Sequence, residues 1–228
     1  MVPTTRTCPV AAETQAVIGS LVFFWRLTLL DVFRLASGAP RGHKLRALLR
    51  NLGGWASNWV IALGQLAANL GDWRSGKWEL IHSAIVIEGG RLLEATAPKV
   101  RTISLGNRLA HYPRCIIVPP RHTAAIEDYE EFHRWAERVD GMPYNNTGLL
   151  GVLYNLGITN PEARFCSELC AEGYQILGFL PTWDQVLRRG KPMPFKPPAS
   201  FWEPSTLANE RGALDWSSAI YTGGKRYV

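Results

Sequence analysis

Cysteine is scarce in this chain, with residues at positions 8, 115, 166 and 170 and no pair in the Cys-x-x-Cys spacing that zinc sites use. So few and so irregular a set excludes a disulfide framework and predicts a reduced, cytoplasmic setting. Long apolar runs are also lacking: the stretch from Ala16 to Trp25 meets Arg26, Asp31 and Arg34 well before the roughly 20 residues a membrane span needs. Only Arg6 precedes that stretch and no small-residue cleavage site follows it, so a secretory signal is not expected. No internal repeat and no low-complexity tract stands out, which excludes solenoids and arrays.

What is present is enough apolar mass for one core. With 228 residues and 46% hydrophobic content, the chain fits a single domain with extensions. Lys and Arg number 25 against 19 Asp and Glu, a net +6, which favours an anionic partner such as a membrane surface, a wall polymer or nucleic acid. The nine tryptophans sit in separate hydrophobic neighbourhoods and do not interleave with a basic stripe, so nucleic acid is not the expected partner.

Residues 1–70 read as an N-terminal helical extension. From 14 to 36, Val17, Ile18, Leu21, Val22, Phe24, Trp25, Leu29, Val32 and Phe33 share a broad helical face opposite Arg26, Asp31 and Arg34. "SGAPRG" at 37–42 stops that helix; a second basic helix is expected over 43–52 and a third, nearly uncharged, over 55–70. These helices either cover the core or attach the protein peripherally to a membrane, with basic residues toward lipid phosphates.

From Gly71 the texture changes to short β-rich runs: "HSAIVIE" (82–88), "RLLEAT" (91–96), "VRTISL" (100–105) and "RCIIVPP" (114–120). A helix follows at 123–139, with its acidic residues early and Arg138 late. "DGMPYNNTG" reads as loop, "LLGVLYNLG" as a short apolar segment, and "CSELCAEGYQILG" as a helix ended by Gly178. The Pro-rich chain after Leu180 reads as an irregular wrap, with residues 208–228 as a loose tail.

Cys166 opens the helix after "NPEARF". A helix start favours thiolate over thiol, and its free N–H groups can hold the oxyanion of an acyl transfer. Cys170, one turn on, reads as packing. A nucleophilic cysteine needs a base, and the candidates are His43, His82, His111, His122 and His133. His82 is best placed, because a hydrogen-bonding side chain opening an apolar strand calls for a partner. If the "EGG" turn has three residues, Ile87 lies opposite Arg91 and Glu94 opposite Ala84, which puts Glu94 and His82 diagonally on one sheet face. A two-residue turn reverses that parity.

In their order and wording, "HSAIVIEGGRLLEATAPKVRTISL", "DGMPYN" and "FCSELCAEGYQILG" resemble the permuted papain-like branch of the NlpC superfamily, the YiiX-like cysteine amidases. In that branch the His and acid strands precede the Cys helix, as they do here. The resemblance covers about residues 71–207 and leaves the first 70 without a counterpart. "GDWRSGKWELI" before His82 departs from the family's apolar strand.

The resemblance implies an α+β fold: a circularly permuted papain-like domain, with a small antiparallel sheet packed against the Cys-bearing helix. It also implies Cys166 as nucleophile, His82 as base and then acid, Glu94 as the residue orienting His82, and Tyr144 in the Gly-x-x-Tyr loop as a substrate-binding residue. The expected activity is cysteine amidase or peptidase chemistry on a peptide, wall-peptide or lipid amide, with no metal or organic cofactor. Alternatives are acyl transfer of the lecithin:retinol acyltransferase kind, and a noncatalytic module that keeps the fold and binds a membrane or partner.

Overall fold

A computed structural model describes residues 17–26, 28–49, 51–53, 59, 62, 79–112, 114–145, 162–180, 207–208 and 212–222. The fold is α+β, built on a six-stranded antiparallel sheet in the order β4-β3-β2-β1-β5-β6. The strands are β1 (Leu21–Trp25), β2 (Leu80–Ile87), β3 (Arg91–Thr96), β4 (Lys99–Ser104), β5 (Cys115–Val118) and β6 (Ile220–Tyr221). The helices are α1 (Leu29–Ser37), α2 (Leu105–His111), α3 (Ile126–Val139) and α4 (Cys166–Ile176).

Two expectations are overturned. The helix read over 14–36 is a strand at Leu21–Trp25 followed by a shorter helix, α1. "LVFFW" is apolar at every position because β1 lies at the centre of the sheet, between β2 and β5, and is buried on both faces. Leu21, Phe23 and Trp25 point into one core cluster and Val22 and Phe24 into the other. A strand buried on both sides carries no polar alternation to distinguish it from a buried helix. The boundary expected at residue 70 therefore does not separate the sheet from what precedes it.

The tail expected over 208–228 is likewise part of the fold. Ala208, Ala213 and Leu214 are buried, and Ile220–Tyr221 forms the edge strand β6 against β5.

The four strands read from the sequence form in order, within about two residues of the expected limits. Residues 44–49 and 51–53 are helical, as are 59 and 62, while most of the helix expected over 55–70 lies outside the described residues. So do the segment "LLGVLYNLG", most of the Pro-rich wrap, and Cys8.

Helices α3 and α4 cover one face of the sheet. Phe132, Trp135, Leu169 and Tyr174 pack there with Leu21, Phe23, Ile85, Leu93 and Ile116. Gly173 permits the close approach: a Cβ there would lie 3.1 Å from Ile85 Cδ1 and from Phe132 Cε2. The opposite face holds a smaller cluster in which α2 supplies Leu105 and Leu109 against Val22, Phe24, Ala84, Val86 and Leu92. Among the described residues, no helix is long and apolar enough to cross a membrane.

Candidate active site

The turn between β2 and β3 sets the geometry. Residues 88–90 form a three-residue 3-10 turn with Gly89 at φ +72°, and Ile87 pairs with Arg91 and Ile85 with Leu93. Continuing that count puts Glu94 opposite Ala84 and brings it to the sheet face of His82. His82 Nε2 lies 3.2 Å from Glu94 Oε2. The expected register is thus the observed one, and an antiparallel diagonal of this kind brings long side chains into contact.

Glu94 is fully buried and surrounded by cations. Arg101 Nη2 lies 2.9 Å from Oε1, Arg101 Nε donates to the same oxygen at 3.0 Å, and Arg108 Nε lies 2.8 Å from Oε2. The Arg108 Nε–H is not aligned for a hydrogen bond, so its part is the charge. Its guanidinium also stacks over Tyr112, 4.3 Å from the ring centroid. Burial alone would raise the Glu94 carboxyl, but the His82 hydrogen bond and charge, then Arg108 and Arg101, hold it down at about 2. It is an anion throughout the physiological range.

Neither arginine stood out in the sequence. Arg108 rides on α2, a helix not expected from the sequence; the one local signal for it is Ser104, whose hydroxyl accepts from the Asn107 N–H at 3.1 Å as an ordinary N-cap.

Cys166 is the first residue of α4, which lies on the opposite sheet face from Glu94 and meets β2 near its start. The thiol hydrogen-bonds the His82 imidazole, and the backbone N–H groups of Ser83 and Ser167 donate to the sulfur. Nε2 is engaged by Glu94, which leaves Nδ1 as the ring nitrogen for the thiol. Burial would raise the thiol, yet the His82 charge and hydrogen bond, with the two N–H groups, hold it below its ordinary value. Burial would correspondingly lower His82, but the Cys166 charge and hydrogen bond, then Glu94, raise it. Both shifts favour the thiolate and the imidazolium over the neutral forms.

The other described thiols behave oppositely. Burial pushes Cys115 up to about 12 and Cys170 higher still, so both stay neutral.

The helix start is built without a Ser, Thr or Asp cap. Phe165 is extended at the N-cap, and Glu168 reaches back to accept its N–H at 3.3 Å. Glu168 is itself buried, which raises its carboxyl to about 7 despite the Phe165 N–H, Arg164 and Asn145. Arg164 grips Glu172 with two N–H groups, Nε at 2.6 Å and Nη2 at 3.2 Å, and so fixes the segment leading to Cys166 onto α4.

Tyr144 is brought to the same place through its backbone. Its N–H donates to Pro98 O at 2.8 Å, while Asn145 N–H donates to Arg164 O and Arg164 N–H to Pro143 O. The bend before it needs Gly141, at φ +90°. Burial, and then the Cys166 charge, pushes the Tyr144 phenol up, so its hydroxyl stays protonated.

Of the four residues singled out in the sequence, His82 and Glu94 are in direct contact, Cys166 interacts with His82, and Tyr144 feels the Cys166 charge. His43, His122 and His133 are not among the interaction partners of Cys166, and the side chain of His111 lies outside the described structure. No group of three or more His, Cys, Asp or Glu among the described residues could hold a metal ion. In comparisons with known proteins, no family model, no curated protein and no solved structure matches the chain.

Proposed function

We propose that the chain is a cysteine hydrolase that cleaves an amide through a thioester at Cys166, on a circularly permuted papain-like fold. The observation that carries this reading is the buried series Cys166–His82–Glu94: among the described thiols, the one lowered is the one that touches the imidazole. A structural cysteine has no use for such a partner, and burial alone would leave it neutral.

Each residue then has a role. The Cys166 thiolate attacks the amide carbonyl carbon, and the oxyanion is received by N–H groups of the first turn of α4, which lack intrahelical acceptors. The His82 imidazolium gives its proton to the departing amine, leaving the acyl group on sulfur. Neutral His82 next takes a proton from water, whose oxygen attacks the thioester; collapse releases the acid and restores the pair. Glu94, kept ionised by Arg101 and Arg108, holds the imidazole orientation and its charge. Tyr144 contributes a protonated hydroxyl that lines the acyl position and can donate to substrate. These steps require no metal or organic cofactor.

The test is to incubate the protein with acyl p-nitrophenyl esters and N-acyl amides and follow intact mass and products together. An acyl adduct on Cys166 that turns over to free acid, and is absent from Cys166→Ala and His82→Ala, supports hydrolysis. Transfer to an added alcohol or amine in place of water would move the reading to acyl transfer. Turnover that survives in Cys166→Ala would end it.

A further inference from the structure

We infer that α1 and the helical turns after it form a docking surface for an anionic lipid membrane. Five large apolar side chains, Leu29, Leu30, Phe33, Leu45 and Leu49, are between 48% and 70% exposed. They fall in two successive helical segments. Leu29 and Phe33 are one turn apart on α1, and Leu45 and Leu49 one turn apart in the following helical stretch. The same elements bury smaller or polar residues instead: Asp31, Val32, Ala36 and Ala47. An amphipathic helix that covered a core would show the reverse.

Charge selects the occupant. Residues 29–53 hold five basic residues (Arg34, Arg41, Lys44, Arg46 and Arg50) against a single acidic one, Asp31, a net +4 out of +6 for the whole chain. Asp31 is buried, where its carboxylate accepts from Thr28 N–H at 2.9 Å and sits 3.5 Å from Arg114 Nη1. Lys44 and Arg46 are exposed among the leucines. Apolar side chains interleaved with cations match the acyl boundary and phosphate layer of an anionic leaflet; a second copy of the same surface would bring like charges together.

The surface is fixed to the sheet rather than hung from it. Thr28 Oγ1 accepts the Asp31 N–H at 3.2 Å, and Arg26 meets Glu79 at 3.2 Å, just before β2. Phe24, which pairs with His82, lies five residues before α1, so a bound membrane lies at the end of the sheet that carries the imidazole.

Binding to this surface does not depend on chemistry at Cys166. The test is co-sedimentation of the full chain with phosphatidylcholine vesicles with and without phosphatidylglycerol. The expected result is pelleting with the anionic vesicles only, weakening as salt rises, and unchanged in Cys166→Ala. Lys44→Glu with Arg46→Glu should cost at least about 25-fold in affinity, from about fivefold per basic residue removed, with the added carboxylates repelling the anionic lipid further. Phe33→Ser with Leu45→Ser should also lose binding while keeping the wild-type thermal midpoint, since both positions are exposed. The inference is overturned if wild type ignores anionic vesicles, or if these variants bind as it does. It is also overturned if wild type is a dimer that Phe33→Ser with Leu45→Ser makes monomeric, because the occupant is then a second copy.

Discussion

His82 and Glu94, twelve residues apart, meet at 3.2 Å because a three-residue turn puts them on one face of adjacent strands. Glu94 makes no contact with the thiol; its influence on Cys166 passes through the imidazole. Two arginines keep the carboxylate charged and confined, which fixes the ring while limiting how far the acid can raise it.

Replacing Glu94 with Gln should therefore act twice. It leaves His82 and Arg108 without their counter-charge in a buried site, while the half-exposed Arg101 can turn to water, at a cost of roughly 3–5 kcal/mol. It should also lower turnover at least about a hundredfold, through misorientation of the ring. Glu94 titrates near 2 in the folded protein against an ordinary 4.5. Its contribution is thus full above about pH 4.5 and is lost as pH falls toward 2, about 3 kcal/mol in all. Urea midpoints of wild type and variant should converge over that range; parallel curves would contradict the assignment.

Glu168 predicts the opposite trend. Its folded value of about 7 lies above the ordinary 4.5, so the unfolded chain releases the proton first and stability falls as pH rises between the two. Glu168→Gln can still accept the Phe165 N–H and should stabilise the protein above pH 7, by up to about 3 kcal/mol, with little effect below pH 4.5. Denaturant midpoints against pH check this, and destabilisation at pH 8 would count against it.

Gly173→Ala tests how α4 is seated. The added methyl would meet Ile85, Phe132 and Trp135 at 3.1, 3.1 and 3.2 Å, and two of these neighbours are ring atoms in the core. Overpacking of about 1–3 kcal/mol should outweigh the roughly 1 kcal/mol that alanine returns as a better helix former. A thermal midpoint at or above that of wild type would show that the helix has room to move.

The site was more legible than the sheet that carries it. Strand runs bounded by Gly, Pro and Asn located β2 to β5, and the length of the "EGG" turn fixed which side chains share a face. Strand β1 was not legible, because five consecutive apolar residues fit a helix as well as a strand buried on both faces. Arg101 and Arg108 were passed over because nothing local marks an arginine whose partner is a carboxylate on the neighbouring strand or under a short helix. The edge strand β6 is two residues long and is defined by its pairing with β5, which local sequence does not display.

The central claim is that Cys166 and His82 form an ion pair. The measurement that tests it most directly is the pH dependence of Cys166 alkylation by iodoacetamide in wild type and His82→Ala, with Cys115 and Cys170 followed by mass spectrometry as controls. Cys166 should react at pH values well below an ordinary thiol's 9.0 and lose that advantage in His82→Ala, while Cys115 and Cys170 stay unreactive. Activity should follow the pair, with its acid limb below 9.0 and its alkaline limb, where His82 loses its proton, above 6.5. A Cys166 that alkylates like the buried thiols, or equally well without His82, would contradict the account.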